Sequence, residues 1–175
     1  MCPQFTGHAV YAYHSAVATF HAPSDLSGIH GMRRERIQAV LSWRHGPPRY
    51  DCIFVEHDVN QDGFQGLHAA RVFLFFSFKY RSIYYPCALI QWFSPVDDEP
   101  CDDTGLWVVE PEYLPDDTPF MAVIHLDCIL RGAHLIGMAG KEFLPQHLSF
   151  HDTFDAFQAF YINKYADHHS NEIAF

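Results

Sequence analysis

The 175-residue sequence has no C-x-x-C pair, no G-x-S-x-G elbow and no phosphate-binding glycine loop. Without the elbow or the glycine loop, neither an α/β-hydrolase nucleophile nor a P-loop site is encoded. Ser27-Gly28 sits in a loop and lacks the preceding glycine that an elbow requires. Five cysteines, odd in number and widely spaced, agree with a reducing compartment. Apolar runs are broken within about ten residues by charge or proline, far short of a membrane span. Met1 to Val10 has neither the basic start nor the apolar stretch of a signal peptide, so the expectation is a soluble intracellular protein.

Positive charge is also scarce. Eleven Lys and Arg face 21 Asp and Glu, a formal charge of −10. Nucleic-acid affinity comes mainly from cations that neutralise phosphates, so strong stand-alone DNA binding is not expected. Thirteen histidines soften that balance only below neutral pH.

Apolar material is abundant. Hydrophobic residues make up 49% of the chain, with 16 Phe, 9 Tyr and 3 Trp, enough for one packed core. Cys52, Cys87 and Cys128 lie in apolar runs and read as small hydrophobes, whereas Cys101 in an acidic loop reads as the exposed thiol.

Along the chain, residues 1–36 read as an N-terminal extension, irregular or helical. Met32 to Leu41 is a short helix or an entry strand, with Arg33, Arg34 and Arg36 on its polar side. After Gly46-Pro47-Pro48 the pattern becomes β. Tyr50 to Val55 is a short apolar strand, and Arg71 to Tyr80 has two apolar faces, both of which need cover. With Ile83 to Phe93 it makes a hairpin, where Pro86 implies an edge or a bulge. Leu106 to Val109 and Phe120 to Leu130 add further strands. From Asp152 to His169 the spacing of Phe154, Phe157, Tyr161 and Tyr165 predicts an amphipathic helix, capped by Asp152 and ending at His168 and His169. The fold expected is mainly β (α+β): a small, partly open barrel over 37–145 with flanking helices, and a C-terminal helix within 146–175 packed on it as part of one structural domain.

Four motifs carry candidate chemistry. Asp58-Val59-Asn60-Gln61-Asp62-Gly63 matches the first half of an EF-hand loop, with Asp58, Asn60 and Asp62 as ligands. The bidentate glutamate needed at the twelfth position is Ala69, so the segment reads as a polar turn and not a metal site. The acidic run Asp97 to Asp103 reads as a solvated loop. His125, Cys128 and His134 lack paired zinc-ligand spacing. Arg33, Arg34 and Arg36, with Trp43 and Arg44 nearby, are the strongest basic cluster; a solvated helix face competes with nucleic-acid contact there. No catalytic set, metal, cofactor or small-molecule ligand is expected.

Several longer strings carry a resemblance. Ala22-Pro23-Ser24-Asp25-Leu26-Ser27-Gly28, Arg49-Tyr50-Asp51-Cys52-Ile53-Phe54-Val55 and Tyr85-Pro86-Cys87-Ala88-Leu89-Ile90 are three of them. Gly105-Leu106-Trp107-Val108-Val109-Glu110-Pro111 and Phe160-Tyr161-Ile162-Asn163-Lys164-Tyr165-Ala166-Asp167-His168-His169 are two more. Together, from about Ala16 to the C-terminus, they resemble the C-terminal region of Plavaka-type (KDZ-related) transposase-like proteins of mushroom-forming fungi. The resemblance implies a non-catalytic accessory module that contacts a protein partner such as a transposase catalytic core, and a nuclear setting. The order of strands is also similar to a bromo-adjacent-homology (BAH) or SH3-like barrel, which implies a chromatin- or peptide-binding reader. A metal-dependent hydrolase is the third and least supported reading. Phe154, Phe157, Tyr161 and Tyr165 are the candidate partner-binding surface.

Overall fold

The computed structural model describes residues 9–23, 30–58, 60, 63–140, 147–149 and 151–175. Twelve strands are present among them: β1 Val10–Tyr13, β2 Ser15–His21, β3 Met32–Val40, β4 Arg49–Tyr50, β5 Cys52–Glu56 and β6 Leu67–Tyr80 in the first half. The second half holds β7 Ile83–Pro95, β8 Val108–Pro111, β9 Met121–His125, β10 Ile129–Ala133, β11 Leu135–Gly137 and β12 Phe160–Ile162. Two short α-helices, α1 Thr153–Ala156 and α2 His168–Ala174, and two 3-10 turns, Gly63–Gly66 and Leu126–Cys128, complete the described set. Among the described residues no helix is long and apolar enough to cross a membrane.

The β6–β7 hairpin is the axis of the fold. Arg81 and Ser82 both take positive φ, 47° and 67°, as a two-residue turn requires if it is to match strand twist. Pro86 lies one residue beyond Cys87, the last β7 residue paired with β9, so its missing N–H breaks no ladder on that side.

The sheet runs β10-β5-β6-β7-β8-β12-β11. Its first and last strands are consecutive pieces of one stretch, Ile129 to Gly137, separated only by His134. The path therefore returns to its start, and the result is a nearly closed barrel, as expected. Cys52, Phe54, Ala69, Phe93, Val109, Phe160 and Ile162 fill its interior. Ala174 of α2 and Phe64 of the 3-10 turn Gly63–Gly66 belong to the same cluster.

The outer face of the same strands is covered too. Ile53, Val55, Ala70, Val72, Ala88 and Ile90 pack under Ile37 and Ala39 of β3, which pairs with β2 and β4 in a second sheet. Both faces of β6 being apolar follows from this double layer. Asp51 joins the layers, because its carboxylate accepts from the Gln38 N–H at 2.8 Å and from Arg49 at 2.7 Å.

Two sequence expectations are corrected. Within the irregular or helical extension, residues 10–13, 15–21 and the start of β3 are strands. The ambiguous Met32 to Leu41 segment resolves as strand because its period is two: Arg33, Glu35 and Ile37 alternate with Arg34 and Arg36.

The C-terminal helix from Asp152 to His169 is replaced by α1, β12 and α2. Phe160 and Ile162 point inward and are wholly buried, while Tyr161 between them is half-buried, a strand pattern. Strands β8 and β11 offer ladder edges, and the β-prone Phe-Tyr-Ile run satisfies both, which outweighs the helical spacing of the aromatics. Asp152 precedes α1 in helical geometry without a capping bond, and instead accepts from the Ser149 N–H. His168 and His169 open α2 instead of ending a helix, and Asp167 caps it by accepting from the Ser170 N–H.

Candidate functional site

The four aromatics expected on one helix face are separated by this rearrangement. Phe154 and Phe157 pack on the barrel interior, with the Phe154 ring tilted against Phe160, centroids 5.1 Å apart. Tyr161 stands on the outer face of β12, and Tyr165 is 74% exposed in the turn before α2. They do not form a common surface.

The basic cluster is also divided. Arg34 and Arg36 share the exposed side of β3, where the Arg36 Nη1 donates to Ser15 Oγ at 3.0 Å. Arg33 lies on the opposite side. Arg44, exposed in the β3–β4 loop, places its guanidinium 5.4 Å from the Trp43 ring centre.

In the Asp58 segment the Asp58 carboxylate accepts from both the backbone and the side-chain amide of Asn60, at 2.9 and 3.0 Å. Those bonds, the backbone one foremost, hold its carboxyl below the usual range. Asp62 lies outside the described residues. Ala69, at the twelfth position, is wholly buried in β6 opposite Phe54. His125 is drawn into local structure, its Nδ1 accepting from the Asp127 N–H. Cys128 is exposed, which corrects its reading as a buried hydrophobe. Among the described residues no group of three His, Cys, Asp or Glu could hold a metal ion.

What the fold assembles is a cavity that no single segment announces. It has a volume of about 820 Å³ and lies between the β7–β8 edge and α1. Glu110, Glu112 and Asp155 supply carboxylates, and Tyr113, Phe154 and Phe157 supply ring faces. Glu110 is directly opposite Ser94 across the β7–β8 ladder, and Ser94 Oγ donates to the Glu112 carboxylate at 3.1 Å. Asp155 is 3.6 Å from Nη1 of Arg71, which lies behind α1. The lining includes neither histidine nor cysteine. Carboxylates beside aromatic faces are the chemistry that holds a cationic side chain.

The sequence carried half of this signal. Glu110 and Glu112, two apart at the end of an apolar strand, fall on one face by the period of two. Asp155 and the rings arrive only through the barrel closure.

A second exposed feature is the far end of the hairpin. Strand β1 pairs there with Phe75 to Phe78, and Val10, Tyr11, Tyr13, Ile83 and Tyr84 are all exposed on this three-stranded ribbon. Phe78 stacks on Tyr85 at 5.3 Å across it.

Comparison of the chain with family models, curated proteins and solved structures returns no match.

Proposed function

We propose that this chain is a non-catalytic protein-interaction module, the accessory part of a transposase-like protein, which takes a basic segment of its partner into the acidic cavity. The observation that carries the reading is the convergence of Glu110, Glu112 and Asp155 on one cavity walled by Tyr113, Phe154 and Phe157. A catalytic core that handles DNA must itself be rich in Lys and Arg. An accessory module of net charge −10 is its electrostatic complement. The exposed ribbon of Val10, Tyr11, Tyr13, Ile83 and Tyr84 adds apolar area for the same contact. The resemblance of the five quoted strings to transposase-like proteins supplies the choice of partner.

The test is binding to the catalytic core of such a transposase-like protein at two salt concentrations. Wild type should bind more tightly at low salt, and Glu112→Gln with Asp155→Asn should weaken binding about tenfold or more. Undiminished binding by the double variant would remove the cavity from the reading.

The same carboxylates and rings favour a second reading, a BAH-like reader of modified basic peptides. A trimethyl-lysine peptide bound at least about tenfold more tightly than its unmodified form would select it, since ring faces favour the methylated ammonium whereas carboxylates alone favour the N–H donors of the unmodified one.

A further inference from the structure

Behind α1, on the side away from the acidic cavity, the chain holds a smaller pocket of about 310 Å³. Trp43, Arg49, Tyr50, Arg71, His151 and Phe154 are on its walls. Arg71 is unusual in this acidic protein. Its side chain is 12% exposed, yet the carboxylate in ion-pair range is Asp155, at 3.6 Å and itself 78% exposed. The Arg71 Nε is buried and has no hydrogen-bond partner, the one such side-chain atom found among the described residues. Its guanidinium lies instead on ring faces, 4.7 Å from Phe154, 5.2 Å from Phe73 and 5.6 Å from Tyr50.

The other acid of the pocket offers Arg71 little. Asp51 is already held by both nitrogens of the Arg49 fork, at 2.7 and 3.0 Å, and by the Gln38 N–H. The pocket is therefore left with the charge of Arg71, whose ion-pair partner Asp155 is itself largely exposed, at a site where a weakly paired cation is costly. A guanidinium fork fixed by packing matches the paired oxygens of a carboxylate or phosphate. The volume beyond it, faced by Trp43 and Tyr50, has room for a planar ring.

We propose that this pocket binds an oxyanion, phosphate or carboxylate, carried on an aromatic ring, with the Arg71 guanidinium as its cationic partner and the Trp43 and Tyr50 rings beside it. The ring–oxyanion pairing is found in aryl phosphates and in aromatic carboxylic acids alike. The site shares Phe154 with the acidic cavity and is linked to it through the Arg71–Asp155 pair, but Glu110 and Glu112 take no part in it.

The test follows the Arg71 Nε–H resonance in the full chain during titration with inorganic phosphate, phenyl phosphate and benzoate. Saturable movement of that resonance with phenyl phosphate or benzoate is expected, and whichever of the two binds more tightly identifies the oxyanion. Binding of phenyl phosphate should be about tenfold or more tighter than that of inorganic phosphate. Read by titration calorimetry, which needs no Arg71 signal, Arg71→Met should abolish saturation, while Trp43→Ala, a change in a loop outside both cores, should weaken phenyl phosphate and leave inorganic phosphate unchanged. Glu112→Gln should leave every titration unaltered, which separates this site from the proposed peptide cavity. An Arg71 Nε–H signal that stays still with all three probes in wild type would overturn the proposal without recourse to any variant. Saturable binding that survives in a folded Arg71→Met would do the same.

Discussion

Arg131 and Asp167 form a two-pronged ion pair, Nη1 to Oδ1 at 2.8 Å and Nη2 to Oδ2 at 2.6 Å, which ties β10 to the start of α2. The Arg131 side chain is only 4% exposed, and its ring contact is Phe20 of β2 at 4.7 Å. Glu35 of β3 stands further off, at 3.7 Å. One buried cation thus touches the barrel, the outer sheet and the helix that packs into the barrel interior. Asp167→Asn removes the close carboxylate and strands that cation, so unfolding in urea should show a loss of roughly 3–5 kcal/mol. Adding Arg131→Met should recover much of the loss, because no unpaired buried charge then remains.

The same junction makes stability depend on pH. His169 stacks on Phe20 at 4.7 Å, and its Nδ1 faces Arg131 Nη1 at 3.1 Å, so the ring accepts there and is held neutral. Burial, then Arg131, depresses its pKa below the ordinary 6.5; Asp167 and Glu172 oppose this and His21 adds to it. His68, beside His57 and Trp92, is depressed by burial first and His57 second, against Glu112. As pH falls below about 6.5 the unfolded chain takes up these protons before the folded one does, so stability present above that pH is lost. Asp167, held well below the carboxylate range chiefly by its Arg131 bonds, loses its contribution only below 3.8. Urea midpoints should fall between about pH 7.5 and pH 5.5, and His169→Gln should flatten part of that slope. A midpoint that rises on acidification would contradict this.

Phe157 lies over Gly137 of β11 so closely that a β-carbon there would overlap its ring. The glycine is required by that approach and not by its backbone angle. Phe157 is half-buried against the barrel cluster, so Phe157→Ala should cost about 2–3 kcal/mol, less than a fully buried phenylalanine. Gly137→Ala should destabilise by displacing the ring, and the double variant should be less destabilised than the two single losses added together. Thermal unfolding of the three variants measures the coupling.

The elements legible in the sequence were those whose pattern and partner are local. The hairpin of β6 and β7 showed through alternation and a two-residue turn, and the need to cover both faces of β6 followed from its Phe and Val content. What did not show was set at long range. Phe154, Phe157, Tyr161 and Tyr165 have a helical spacing, but Phe160 and Ile162 are decided by the open edges of β8 and β11. The acidic cavity was half visible in Glu110 and Glu112, and invisible in Asp155, which reaches it only because α1 is short and turns back. Arg71 read as an ordinary strand residue, since neither Tyr50 nor Phe154 is near it in sequence.

The described cysteines should differ sharply in reactivity. Cys52 points into the barrel among Phe54, Phe64 and Phe160, where burial pushes its thiol far up, Arg71 offsetting only part of the effect. Cys87 is also buried and raised by the same cause. Cys101 is half-buried, and its thiol is lowered by a hydrogen bond with the Thr104 side chain first and by the Asp103 and Thr104 backbone next. Cys128 is exposed. Because the thiolate is the attacking species, iodoacetamide at neutral pH should modify Cys101 and Cys128 within the native fold. Cys52 and Cys87 should be modified only at the rate of opening, and urea should bring all four to similar rates. Peptide mapping by mass spectrometry resolves the four sites. Modification of Cys52 as fast as Cys128 in native buffer would mean that the barrel opens readily at the β5 side, contrary to the closure through Ile129 to Gly137.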